Sequence, residues 1–336
     1  MSRIVRNLSS RELLARLRRA RLELHETSRD ARHVMTLTAQ LVEDLASQRH
    51  AVESLRAEVA DMSQTLAQQS QILTEHRKRL LLALRMVRDD DARQRQALLD
   101  LRGSPSYEDA FDADDPLVSV LVPTFNNWEL LRDRSLPSVL AQTYQNWECI
   151  VVGDSAPDET REVVEAFGDK RLRFVNLPYR GPYPDDPADL HRISGTPPWN
   201  AGLALAQGKW IAGNADDDAL RPGCIDTLLT HAKRHRAEVA YGYIDEWFPD
   251  KPLRRLGAFP PRWGQWGIQA SLFHAGLRFL PLLPSDWVFE IPNDMSLLER
   301  MLRIGVRFAM AEETVVDYYP STLWRPSGEM TQDHIS

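Results

Sequence analysis

The chain has 336 residues, enough for two or three units of ordinary domain size, with 43% hydrophobic and 26% charged residues, as in globular proteins. Its net charge of −7 offers no bulk attraction to nucleic acid, so no nucleic-acid partner is expected. The two cysteines, Cys149 and Cys224, belong to no CxxC pair, which argues against a disulfide framework or a structural zinc and leaves nothing opposed to a reducing cytosol.

The opening MSRIVRNLSSRELLARLRRARLE is basic and has no long apolar run, unlike a secretory signal. No segment approaches the ~20 apolar residues of a spanning helix. A soluble, cytoplasmic protein is expected, with peripheral contact at the inner face of a membrane left open. No glycine or proline precedes Gly103 and Pro105, which predicts uninterrupted helix over 1–102. Leu45, Val52, Val59, Leu66, Leu73, Leu80 and Val87 recur at heptad spacing. The companion seam, Leu41, Gln48, Leu55, Met62, Gln69, His76 and Ala83, is mixed. One clean and one mixed seam predict a coiled coil whose polar positions set register, and with it a homo-oligomer. A helical hairpin folded back on the rest of the chain is the alternative. Arg3, Arg6, Arg11, Arg16, Arg18, Arg19 and Arg21 make the N-terminal end basic, which reads first as a solvated helix face. Residues 103–115, GSPSYEDAFDADD, are acidic and rich in turn formers and are expected to be a linker.

Beyond the linker, strand and helix alternate. LVSVLVP (117–123) reads as a buried strand, followed by helix over about 129–142 and a second strand at ECIVVGD (148–154). A helix from about Pro157 has Asp158 and Glu159 in its first turn, and RLRFVNL (171–177) is a third strand. NAGLALAQ is helical, KWIAGNA (209–215) a fourth strand, RPGCIDTLLTHAKRH a helix and AEVAYGYI (237–244) another strand. This alternation predicts an α/β domain, a mostly parallel sheet with helices on both faces and ligands outside the carboxyl ends of its strands. Neither GxGxxG nor GxxxxGK[ST] is present, which weakens dinucleotide and P-loop readings. Asp216, Asp217 and Asp218 follow the fourth strand. Such carboxylates suit either a solvated turn or a hard divalent cation, Mg²⁺ or Mn²⁺, whose shell substrate phosphates would complete.

PTFN (123–126), SVLAQTY (138–144), the acidic turn GDSAPD (153–158), WNAGLALAQGKWI and NADDDALRP follow one another as in family 2 glycosyltransferases. The stretch from 116 to 325 resembles that family, and the resemblance implies the GT-A fold, Rossmann-like, behind the coiled coil, with residues 326–336 as a tail. It places Pro123, Thr124, Phe125 and Asn126 around the base and ribose of a nucleotide-sugar, and implies that Asp154 bonds a uracil-type base. Asn200 matches the asparagine of the family's RNxG and is expected near the nucleotide or the metal. Asp216 would sit beside ribose or water on the metal, and Asp217 would be the metal ligand. Gly153, Ala215 and Trp199 depart from the pattern, standing where the family tends to carry an aspartate, the first DXD aspartate and a basic residue.

PNDMSLLERMLRIGVRF, from Pro292, resembles the family's late helix headed by an ED motif. Asp294 takes the place of its general base, with Asn293 where glutamate is common. By itself Asp294 is also an ordinary first-turn aspartate. Asp286 in PSDW is the alternative base, and Asp245 and Glu246 are further candidates. The long proline-rich loop 177–198 has the composition of a lid, with Arg180, Tyr183 and His191 as candidate donor contacts. The Trp- and Gly-rich segment from Gly257 is expected to shape the acceptor site. His231 and His235, four apart on a helix, bracket Lys233 and Arg234 and read as a solvated face.

The expected activity is inverting, metal-dependent transfer from a UDP-, dTDP- or GDP-sugar to a hydroxyl of a glycan or lipid-linked acceptor, in surface polysaccharide or glycan synthesis. The rival reading is a coiled-coil scaffold with an inactive GT-A domain. A nucleotidyl transferase would want a glycine- and lysine-rich loop after the first strand, which PTFNNWELL lacks.

Overall fold

The computed structural model describes residues 10–88 and 90–320. The predicted tail 326–336, the last residues of the predicted domain from 321, and Arg3 and Arg6 lie outside them, as does the side chain of Val87. The chain divides into two compact units, Met1–Leu80 and Leu81–Ser336.

The first unit is made by helix α1, Ser10–Arg88, whose last two turns run into the second unit. Good helix formers dominate it. Its interior threonines are accommodated by returning their hydroxyls to the carbonyl four residues back, Thr38 to Val34 at 2.7 Å and Thr74 to Ser70 at 2.8 Å. The helix is unbroken over this span, so the hairpin alternative is not seen. Its predicted seam stands bare in the single chain: Leu45 is 65% exposed, Leu66 63% and Leu73 68%.

In the second unit, Asp90 caps α2 (Asp91–Arg102) by accepting the Arg93 amide at 3.1 Å, so the helix predicted over 1–102 is two helices. The expected linker differs more. Residues 103–115 contain α3 (Pro105–Asp112), with proline at its start, where a missing N–H costs nothing. Tyr107, Ala110 and Phe111 are spaced to one face and buried in the core, Phe111 edge-on to Trp210 with ring centroids 5.3 Å apart. The turn formers and charges of this stretch lie on the other face and mask an amphipathic helix.

The sheet follows: β1 Val118–Thr124, β2 Trp147–Gly153, β3 Leu172–Asn176, β4 Trp210–Gly213, β5 Ala219–Leu220, β6 Val239–Glu246, β7 Arg254–Leu256, β8 Ser271–His274 and β9 Phe308–Tyr318. The spatial order is β3-β2-β1-β4-β8-β6-β9-β5, with β7 on β6. The first four strands are parallel, as the alternation predicted, and β1, β2 and β4 read as near-continuous apolar runs because both faces are covered. Beyond β4 the sheet is mixed. Strand β8 runs antiparallel to β4 and β6, and β9 parallel to β6. The helices between strands are α4 (Trp128–Leu130), α5 (Leu136–Leu140), α6 (Asp158–Ala166), α7 (Pro187–Ile193), α8 (Thr196–Leu205), α9 (Cys224–His235) and α10 (Asn293–Ile304). One core cluster contains Trp147, Trp210 and Phe111, and the other contains Trp199, Phe273 and Leu298. The parallel register aligns Thr124 with Gly153 and Gly153 with Asn176, so β1, β2 and β3 end together.

Candidate active site

At that edge the chain leaves β1 through Phe125, Asn126 and Asn127, leaves β2 at Asp154, and leaves β4 through Asn214 into the acidic turn. The Asp154 amide bonds the Thr124 carbonyl at 2.8 Å and the Asn214 amide bonds the Leu121 carbonyl at 3.0 Å, so all three exits are held side by side. Between α4 and α5 the helix widens into a π turn, Leu131–Ser135, with the Leu136 amide reaching back to Leu131. Pro137, which has no N–H to give, follows it. The widened turn delivers two side chains to the acidic turn. Ser135 bonds the Ala215 carbonyl at 2.8 Å, and Arg134 bonds the Asp217 carbonyl at 2.6 Å. Asn127 donates to Asp216 at 3.1 Å.

The three aspartates differ. Asp216 is buried, raised by burial against the relief given by Asn127 and the Phe125 amide. Asp217 is half-buried, its carboxyl pushed up to about 6 by burial and by the charge of Asp216. Asp218 is fully buried; one oxygen accepts the Tyr319 amide at 3.0 Å, and the other has no hydrogen-bond partner among the described residues. Burial and Asp217 hold it well above the usual carboxylate range. Arg134, stacked 3.8 Å over the Tyr319 ring, is the cation whose charge acts on both Asp217 and Asp218. Carboxylates this short of positive charge fit a divalent ion. Among the described residues no three His, Cys, Asp or Glu side chains are grouped to hold one unaided. Asp217 would therefore contribute with water and substrate oxygens.

Asp294 lies in the first turn of α10, accepts the Met295 amide at 2.7 Å, and is pushed up to about 6 by burial. Asn293 fastens this helix end to the α7–α8 junction, donating to Thr196 at 2.9 Å and to the Ser194 carbonyl at 3.2 Å. The half-buried Tyr318 phenol feels the charges of both Asp294 and the acidic turn. It is raised first by burial and then by the charges of Asp218, Asp217, Glu246 and Asp294.

Other candidates fall elsewhere. Asp286 is 0% exposed inside a 3-10 turn, out of reach of an acceptor. Asp245 and Glu246 are paired with Arg255 and Arg254 across the β6–β7 hairpin. Asn200 spends its whole amide on Leu282, accepting its N–H at 2.9 Å and donating to its carbonyl at 2.8 Å. Trp199 fills the core against Phe273 rather than facing a sugar. Gly153 has a local cause: a Cβ there would lie 2.4 Å from the Asn176 carboxamide oxygen, and that amide bonds Ala156 on both sides at 2.8 Å. Asn127, Arg134, Ser135 and Tyr318 were missed. Only Pro137, just after the π turn, could have pointed to Arg134 and Ser135.

Residues 119–183 and 198–280 match the model of the family described as glycosyl transferase family 2. These residues are a family 2 glycosyltransferase domain. The glycosyltransferase domain is 32% identical over 128 residues to a GalNAc(5)-diNAcBac-PP-undecaprenol beta-1,3-glucosyltransferase of Campylobacter jejuni, a match covering 37% of each chain. It is 31% identical over 130 residues to the succinoglycan biosynthesis protein ExoO of Rhizobium meliloti, covering 39% of this chain and 34% of the relative. The match thus spans about a third of each relative's length. Among solved structures, S. aureus TarS 1-349 in complex with UDP aligns with a TM-score of 0.49 and 16% identity, over 61% of this chain and 60% of that one. The mannosyltransferase PcManGT of Pyrobaculum calidifontis, in complex with GDP-Man and Mn²⁺, aligns with a TM-score of 0.41 and 18% identity, over 68% of both. No helix of the described residues is long and apolar enough to cross a membrane.

Proposed function

We propose that the glycosyltransferase domain transfers a sugar, with inversion, from a nucleoside-diphosphate sugar to a hydroxyl of a glycan or lipid-linked acceptor, using a divalent cation. The observation that carries this reading is the convergence of Thr124, Asp154 and the acidic turn at one sheet edge, with Asp294 near enough for its charge, like those of Asp217 and Asp218, to act on the Tyr318 phenol. Phe125 and Asp154 take the base, and Asp216 lies beside the ribose. Mg²⁺ or Mn²⁺ on Asp217 would neutralise charge on the departing diphosphate. Asp294 accepts the acceptor hydroxyl's proton as that oxygen attacks the anomeric carbon from the face opposite the leaving group. Arg134 holds the acidic turn in place and lessens its repulsion. Asn200 supports the wall beside Leu282 and is left out of the nucleotide contacts. The relatives named for undecaprenol-linked glycan and succinoglycan synthesis support an acceptor of that kind.

The bare seam of α1 supports self-association of this chain as a coiled coil, with Leu45, Val52, Val59, Leu66, Leu73 and Leu80 in its interior.

Calorimetry with UDP, dTDP and GDP, with Mn²⁺ or with EDTA, tests the donor site. One nucleotide should bind at least about tenfold tighter with Mn²⁺, which is about 1.4 kcal/mol, and Asp217→Asn should remove that gain. Equal affinity with and without metal for every nucleotide contradicts the reading. The anomeric configuration of a product made from a defined donor tests inversion.

A further inference from the structure

The loop between β3 and α7 lies on the residues assigned above to the base. Both oxygens of Asp154 are taken by it: the Gly181 amide donates to Oδ1 at 3.1 Å, and the Tyr183 hydroxyl donates to Oδ2. Asp154 is consequently only 3% exposed. Three residues before Tyr183, Arg180 lays its guanidinium 3.8 Å above the Phe125 ring and 5.2 Å from that of Tyr183. One loop therefore occupies both the hydrogen-bonding group and the stacking face that a base would need.

The two contacts on Asp154 are not equally exchangeable. Gly181 is packed against the start of α8, where a Cβ on it would lie 2.4 Å from Pro197 Cγ, and its amide is part of a confined backbone. Tyr183 is a side-chain contact with rotamer freedom. Burial, and then its bond to Asp154, raise its phenol, so it stays a protonated donor at neutral pH. It offers one O–H to one carboxylate oxygen, as a pyrimidine imide would offer one N–H.

We propose that Tyr183 and Arg180 form a gate that stands in for the nucleotide base, and that donor binding exchanges the Tyr183 hydroxyl for a base N–H on Asp154 while Arg180 leaves the Phe125 ring. The Gly181 amide stays on Oδ1 throughout. The gate keeps the buried carboxylate hydrogen-bonded when no donor is present, which an empty subsite would not. Every donor must compete with an intramolecular contact, so the loop lowers affinity and rejects ligands that lack a base donor. This inference rests on the assignment of Asp154 to the base.

The test uses the full chain, with UDP, dTDP and GDP as probes in Mn²⁺ and the tightest binder carried forward. Tyr183→Phe removes the competing hydroxyl and keeps the ring; it should bind about fivefold tighter, the size of one net hydrogen bond. Asp154→Asn should lose binding. In the wild type, phenylglyoxal should modify Arg180, read by mass spectrometry, faster when nucleotide is present, because its guanidinium has left its stack, and this readout needs no variant to fold. Unchanged or weaker binding by Tyr183→Phe, with Asp154→Asn still defective, overturns the gate and leaves the base site standing. Protection of Arg180 from phenylglyoxal by nucleotide also overturns the gate. Full binding by Asp154→Asn, or no binding of any probe by wild type, overturns the base site and the gate together.

Discussion

Asp294 keeps its proton up to about pH 6 because burial outweighs the relief given by the Met295 amide and its own. A general base must be ionised, so turnover should rise with pH through about 6 and level off above it. Asp294→Asn should lower kcat by about 10²–10⁴-fold, the usual worth of a positioned base, with nucleotide affinity unchanged. A kcat within threefold of wild type would remove Asp294 from the chemistry. Asp217 is also raised to about 6, with the opposite consequence for stability. A carboxyl whose folded pKa lies above its unfolded value favours the fold fully below the unfolded pKa, and that contribution is lost as pH rises through the folded one. Without metal, Asp217→Asn should therefore gain stability relative to wild type between about pH 4 and 6. Added Mn²⁺ should raise the Tm of wild type alone at pH 7. Denaturant melts of both proteins at these pH values check this. At this scale motif order singles out Asp154, Asp217 and Asp294, and the fold brings Asp154 and the turn of Asp217 to one sheet edge. It could not show that Asn200 spends its amide on Leu282, because partners distant in the chain decide where an amide points.

The glycosyltransferase domain depends on elements that precede it in the chain. Glu238, fully buried, would be raised by burial, but bonds from Arg102, Tyr107 and Arg307 outweigh this and hold it low. Arg102 reaches it at 2.8 Å from the end of α2, and Tyr107 at 2.7 Å from α3. Phe111→Ala should cost about 3–5 kcal/mol by emptying a core position, and Glu238→Ala a similar amount by stranding buried donors. Chemical denaturation measures both, and a cost under about 1 kcal/mol would contradict the packing. The four parallel strands were legible because strands covered on both faces read as apolar runs. Helix α3 was not, because Ser104, Pro105 and its acidic residues resemble a turn-rich linker until Tyr107 and Phe111 are placed on one face. Strands β7, β8 and β9 were also missed. Strands β7 and β8 are three and four residues long, too short for a pattern, Glu312 and Glu313 interrupt the apolar run of β9, and their pairing is set by distant neighbours.

At the scale of the whole molecule, the heptads that predict α1 also leave its seam exposed in a single chain. Sedimentation should show the full chain as an oligomer and residues 81–336 as a monomer. Val59→Asp with Leu66→Asp should dissociate the full chain, and a monomeric wild type would contradict self-association through α1. The central claim is sugar transfer from a metal-bound donor at the Asp154–Asp217 edge, and diphosphate release tests it most directly. UDP-, dTDP- and GDP-sugars are incubated with wild type and Asp217→Ala, in Mn²⁺ or EDTA. The account predicts release from one donor class, dependent on metal and lost in the variant. Release that persists in EDTA, or in Asp217→Ala, would contradict it.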